Sequence, residues 1–285
     1  MGRFAERVAL VTGAAGAQGR AHALAFAREG ADVVLADITK DVDGVPYPTS
    51  TARELAELTA EIEALGRRAV TVEADLRRQD ALDAGVAHAL EALGRIDVLV
   101  ANAGIWVPAG PFWELSEEAW QLTVDIDLTG AWRTMKAVAP HMIERGSGAI
   151  VVTASVNSLE AGPGCSNYVA AKHGVLGLVK TAANEIGRHG VRVNAVCPGY
   201  VDARNNDHQA AWDFMAGGSG GTRATRDEAA FGWSLLAGRG MIAPDSVSGA
   251  VLFLASDDAR DVTGIALPVD AGHLATPGFN RDPVR

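Results

Sequence analysis

In the stretch VVTASVNSLEAGPGCSNYVAAKHGVLGLVK, Tyr168 and Lys172 stand four residues apart in a run of helical period, and Ser155 closes an apolar run thirteen residues before the tyrosine. A spacing of four puts the phenol and the ammonium on one face of a helix. An ammonium beside a phenol favours the phenolate and lowers its pKa, so Tyr168 becomes a usable acid and base near neutral pH. The alternative is an exposed helix pair without chemistry. With three Tyr in 285 residues, a chance Tyr at this spacing from a Lys is uncommon, and the correctly placed Ser155 adds to the case.

These side chains need a scaffold, and the rest of the chain supplies one. Seven short β-branched runs read as strands: Val8 to Val11, Asp32 to Ala36, Ala69 to Val72, Asp97 to Val100, Ala149 to Thr153, Arg192 to Val196 and Ile265 to Val269. The intervals between them are long enough for crossover helices, which predicts an α/β fold: a doubly wound, Rossmann-type parallel seven-stranded sheet with helices on both faces. Such sheets bind ligands beyond the carboxyl ends of their strands. The segments that follow each strand therefore carry the functional signal.

The first of these is VTGAAGAQGR, with Gly13, Gly16 and Gly19 between a strand and a helix that starts near Gln18 or Gly19 and ends at Gly30. Free N–H groups and the positive helix end then face a pyrophosphate, with Gly13, Ala17, Gln18 and Gly19 as contacts. Asp37 ends the second strand; its carboxylate can accept hydrogen bonds from the adenosine ribose hydroxyls and would repel a 2′-phosphate, which favours NAD over NADP. After the fourth strand, Asn102, Ala103 and Gly104 let backbone pass close to a ligand, and the Asn side chain can tie neighbouring strands together.

Composition bounds the rest. A net charge of −10 speaks against a nucleic-acid or anionic-membrane surface, and 48% apolar residues in 285 suffice for one large core. We expect a single domain over residues 1–285, cytoplasmic, without signal peptide or membrane span. Cys165 and Cys197 show no metal-ligand spacing and read as buried thiols, and no metal site is expected. His22, His173 and His189 read as structural.

With Thr12, Gly13 and Gly19, the ANAG segment at Ala101 to Gly104, Ser155, and Tyr168 with Lys172 in view, the chain resembles the short-chain dehydrogenase/reductase family from about Arg7 to Gly272. The resemblance implies that Ser155 holds the carbonyl or hydroxyl oxygen, Tyr168 exchanges the proton, and Lys172 binds the nicotinamide ribose while tuning Tyr168. It also implies adenine contacts at Asp75 and Leu76, and a nicotinamide-side element with Asn194, Pro198, Gly199 and Val201. It implies a homotetramer packed through helices 117–144 and 166–188. Four positions depart from the family pattern: Ala17 replaces the middle glycine of its turn, Ala101 the first Asn of its NNAG element, Asp127 in DIDLTG the catalytic Asn, and Ala203 a Thr that holds the carboxamide. A carboxylate has no N–H to donate, so Asp127 changes the proton relay from Lys172 or else merely supports a helix bend.

An insertion at residues 38–51, ITKDVDGVPYPTST, resembles that of the mycofactocin-associated, carveol-dehydrogenase-like branch. There it is understood to close over the adenine end of NAD, so that an external redox carrier reoxidises a nucleotide that stays bound. Aromatic residues after Gly104 and within 202–240 predict an apolar substrate pocket under a lid, with Trp106, Trp113, Asn157 and Trp212 as contacts. The expected substrate is an apolar secondary alcohol, terpenoid or alicyclic. Two alternatives stand: an NADPH-dependent ketoreductase of 3-oxoacyl type, and a catalytically weak nucleotide-binding regulator.

Overall fold

The structure, a computed structural model, describes residues 2–276; Met1 and residues 277–285, which the expected single domain includes, lie outside the described residues. Its β-branched runs form β1 (Val8–Thr12), β2 (Asp32–Asp37), β3 (Ala69–Glu73), β4 (Val98–Ala101), β5 (Gly148–Thr153), β6 (Val191–Pro198) and β7 (Ala266–Val269). They join in one parallel sheet of order β3-β2-β1-β4-β5-β6-β7. The fold is the Rossmann-type α/β sheet the sequence predicts. The chain reverses direction across the sheet between β1 and β4, and this switch point opens a crevice at their carboxyl ends.

The helices are α1 (Ala17–Arg28), α2 (Ala52–Ala64), α3 (Gln79–Leu93), α4 (Glu117–Thr123), α5 (Ala131–Arg145), α6 (Ser166–Ile186), α7 (Gln209–Ala216), α8 (Arg223–Ala230) and α9 (Pro244–Ala255). Successive strand residues feed two cores because side chains alternate across a sheet. Leu10, Val34 and Leu99 pack with α3, α5 and α6 on one face. Val11, Leu35 and Val100 pack with α1, α2 and α9 on the other. Every residue of β1 and β2 is buried, which is why these strands read as continuous apolar runs. Between α1 and α9 the His22 ring is buried with Nδ1 2.8 Å from Ser248 Oγ, and burial pulls its pKa down to about 3, so it stays neutral.

One expectation is corrected. The helix expected over 117–144 is not continuous: Val124–Gly130 forms a π-helical turn between α4 and α5. The wider turn directs the carboxylate of Asp127 inward, where Oδ1 accepts the Ile105 amide at 2.8 Å. A π turn is usually less stable than α, and here a buried hydrogen bond holds it in place. No helix of the described residues is long and apolar enough to cross a membrane.

Candidate active site

At the switch point, Gly13 takes φ +64°, and a Cβ there would come within 2.9 Å of Ala103 Cα. A Cβ on Gly19 would lie 1.9 Å from the Gly13 carbonyl oxygen, so the turn closes only with glycine at both places. Gly16 caps α1 without a side-chain acceptor, which leaves the first amides of the helix free to meet an anion. Beside them Gln18 Oε1 is buried without a partner. A narrow cradle, free amides and an orphaned amide oxygen fit a pyrophosphate and a carboxamide, as a dinucleotide carries.

The crevice continues past Ala17, Asp37, Asp75, Leu76, Asn102, Ala103 and Gly104. Asp37 is held by the amides of Ala15 and Ile38 at 2.8 and 2.7 Å. Burial raises its pKa, while these bonds and one with Ser50 act against the rise. Asp75 is held low by its bond with Arg77. Asn102 ties three strands together, donating Nδ2–H to the Thr12 carbonyl at 3.0 Å and accepting from Thr153 Oγ1 at 3.2 Å.

A second cavity, of about 400 Å³, shares Gln18, Asn102, Gly104 and Ile105 with the first, and Ser155, Tyr168 and Lys172 line it. Ser155 follows β5 and caps a short turn, with Oγ accepting the Asn157 amide at 3.1 Å and its own amide bonded to Ser158 Oγ at 3.1 Å. Its hydroxyl also hydrogen-bonds Tyr168. Lys172 is 4% exposed; its Nζ donates to the Thr153 carbonyl at 3.1 Å and lies 5.5 Å from the centre of the Tyr168 ring. Asp127 is 1% exposed, its Oδ2 has no partner, and burial raises its pKa to about 6 against the pull of Lys172.

The phenol differs from the sequence expectation. Burial pushes the pKa of Tyr168 up, the Asp127 carboxylate adds to the rise, and the Ser155 bond only partly opposes it. In this chain the resting state of Tyr168 is therefore the protonated phenol.

Trp106, Asn157, Pro198, Gly199 and Val201 line the same cavity, with the Trp106 ring edge-on to Phe214 at 5.3 Å. Trp113 and Trp212 do not, and both expectations are corrected. Trp113 is 71% exposed, because the turn at 111–114 leads the chain outward into α4. Trp212 turns into segment 202–240 itself, where Nε1–H donates to Asp207 Oδ1 at 3.1 Å and Asp207 pairs with the buried Arg226. Ala203 lines the first cavity.

Residues 38–51 run along the first cavity as a strap, through Ile38, Val42, Tyr47, Thr49 and Ser50. Val42 packs with Ile105 and Ile126. The Tyr47 hydroxyl accepts the Trp106 amide at 3.1 Å, so the strap reaches beyond the adenosine end to the substrate side. Arg204, which the sequence reading missed, donates Nη1–H to the Thr49 carbonyl at 2.8 Å and pairs with Glu54. Tyr47 between Pro46 and Pro48 was the one available signal: an aromatic on a stiff loop.

A model of the family "short chain dehydrogenase" matches residues 7–213. The chain is 42% identical over 277 residues to (−)-trans-carveol dehydrogenase of Rhodococcus erythropolis, covering 95% of this chain and 99% of that one. It is 40% identical over 276 residues to cis-4-hydroxycyclohexanecarboxylate dehydrogenase of Sinomonas cyclohexanicum, covering 95% and 98%. Among solved structures, carveol dehydrogenase from Mycobacterium avium in complex with NAD superposes with a TM-score of 0.93 at 39% identity, covering 97% of this chain and 100% of that one.

Proposed function

Because the chain belongs to the short chain dehydrogenase family, we propose that it is an NAD-dependent alcohol dehydrogenase that interconverts an apolar cyclic secondary alcohol, terpenoid or alicyclic and carveol-like, and its ketone. The observation that carries this reading is the convergence of Ser155, Tyr168 and Lys172 on an aromatic-lined cavity that adjoins the dinucleotide crevice through Gln18, Asn102, Gly104 and Ile105.

NAD would be held by Gly13, Ala17, Gln18 and Gly19 at the pyrophosphate, by Asp37 at the adenosine ribose, by Asp75 and Leu76 at the adenine, and by Asn102 to Gly104 along the crevice. Pro198, Gly199 and Val201 would flank the nicotinamide. When bound, NAD supplies the hydride acceptor. The chain's own residues do the rest. Ser155, fixed by its turn, orients the alcohol oxygen. In reduction the Tyr168 phenol gives its proton to the ketone oxygen; in oxidation it first releases that proton past Lys172 to solvent and then takes the hydroxyl proton. Lys172 supplies positive charge beside a phenol that burial and Asp127 hold protonated. Asp127 faces Lys172 and is the far member of the proton path.

Ties from Arg204 and the Trp106 amide to the strap support a nucleotide that exchanges slowly, and a retained nucleotide calls for reoxidation by an external, mycofactocin-like carrier. The test is exhaustive dialysis, denaturation and mass spectrometry of any released nucleotide, followed by assay of cyclohexanol and carveol with NAD and with artificial electron acceptors. Near-stoichiometric NAD supports retention. Turnover of neither alcohol with any acceptor would overturn the function.

The protein also assembles as a homotetramer in this reading. Trp132 on α5 is 44% exposed and Trp120 on α4 is 41% exposed, both within the 117–144 segment that this reading places at the interface. Light scattering of the purified protein decides between the two states.

A further inference from the structure

The segment after β7 was silent in the sequence, yet it reaches the substrate cavity through a contact chain that spans three loops. His273 stacks on Trp233 with ring centres 4.4 Å apart and planes 10° from parallel. Its Nε2 lies 2.7 Å from Oε1 of Glu160, in the loop after β5 that goes on to line the cavity with Ala161, Gly162 and Pro163. Trp233 lines the same cavity from the lid, and its other ring neighbour is Tyr200 at 6.1 Å.

The backbone around His273 is held for this purpose. Asp270 accepts the amides of Gly272 and Leu274 at 2.9 Å each, and the Leu235 amide, two residues past Trp233, donates to the Ala271 carbonyl at 2.9 Å. Ala271 takes φ +52°, a left-handed conformation unfavourable for a residue with a Cβ. Strain of this kind persists where surrounding bonds over-determine the backbone, as they do here. The His273 side chain is only 11% exposed.

We infer that Glu160, His273 and Trp233 form a brace that fixes the Trp233 indole as one wall of the substrate cavity and so sets which cyclic alcohols fit. Trp233 is the specificity-determining residue. His273 is a positioning residue that acts through it, and Glu160 holds the His273 ring. A planar stack keeps the indole from rotating into or out of the cavity, while the bond to Glu160 stops the imidazole from swinging with it. The inference rests on the alcohol dehydrogenase reading only for its choice of substrates.

The experiment compares wild type with His273→Ala, His273→Phe, Glu160→Gln and Trp233→Ala on cyclopentanol, cyclohexanol and carveol, at saturating NAD and with an artificial electron acceptor present. His273→Ala should raise KM for carveol about tenfold while kcat stays within about twofold, because positioning acts on binding rather than on proton transfer. His273→Phe keeps the stack and should recover most of that loss. Trp233→Ala should narrow the preference among the three alcohols. The brace is overturned if KM for carveol is unchanged in His273→Ala, or if His273→Phe behaves no better than alanine. In parallel, 5-fluorotryptophan labelling gives a Trp233 resonance, assigned by its loss in Trp233→Phe. Should wild type turn over no alcohol, the functional reading fails, and the resonance alone decides the brace: broadening in both His273→Ala and Glu160→Gln supports it, and an unchanged linewidth overturns it.

Discussion

Asp127 and Lys172 face one another across Gly104. A Cβ on Gly104 would meet Asp127 Oδ1 at 2.6 Å and Lys172 Nζ at 3.3 Å, so only glycine lets the carboxylate and the ammonium share this buried space. The pair places a negative charge behind Lys172 and Tyr168, and it dictates what removal of that charge will do.

Asp127→Asn keeps an oxygen for the Ile105 amide and removes the charge that raises the Tyr168 pKa. With Tyr168 as the proposed base in alcohol oxidation, a lower pKa moves the rising limb of kcat toward lower pH. Turnover at neutral pH should be preserved or increase by about threefold, the effect of roughly half a pKa unit. A pH profile of kcat measures it, and a large fall in the variant would refute the relay.

The same residue makes stability depend on pH. The folded pKa of Asp127 is raised from 3.8 to about 6, so the native state holds this proton longer than the unfolded chain does. Ionisation then costs the wild type stability as pH rises from about 4 to about 6, by roughly 3 kcal/mol through linkage. Asparagine does not titrate. In urea unfolding the stability of Asp127→Asn relative to wild type should climb across that window and level off above it; a difference independent of pH would contradict the buried, ionisable assignment.

Tyr168→Phe removes the proton carrier and leaves the ring packed on α6. Turnover of any accepted alcohol should fall by about 10³-fold or more with the circular dichroism spectrum unchanged. Residual activity within tenfold of wild type would mean that another group moves the proton.

Arg204→Ala cuts the bond to the Thr49 carbonyl and the pair with Glu54. If the strap retains the nucleotide, NAD should leave about tenfold faster, the effect of one or two net hydrogen bonds. Release can be followed by trapping the freed NAD with a second enzyme. Equal rates in variant and wild type would assign retention elsewhere.

Gly19→Ala places a methyl 1.9 Å from the Gly13 carbonyl oxygen, against backbone that cannot yield without opening the turn. Thermal unfolding should show a loss of about 3 kcal/mol, and NAD binding should weaken with it. A variant as stable as wild type would show the turn to be looser than its geometry implies.

The sequence determined much of this on its own. Sheet periodicity located every strand to within two residues, because parallel strands buried on both faces leave uninterrupted β-branched runs. Gly13, Gly19 and Asp37 marked the crevice, and the spacing of Tyr168 and Lys172 placed two polar groups on one helix face, since local geometry alone fixes such relations. What depends on contacts between distant segments was not legible. The tertiary structure decided that Trp113 faces outward and that Trp212 bonds Asp207, because a tryptophan's type does not say which neighbour will bury it. It decided that the pKa of Tyr168 is raised rather than lowered, since burial and a carboxylate forty-one residues away outweigh the Ser155 hydroxyl. It also brought Arg204 to the strap and His273 to Trp233, across 155 residues in the first case, where no local pattern in the chain carries the signal.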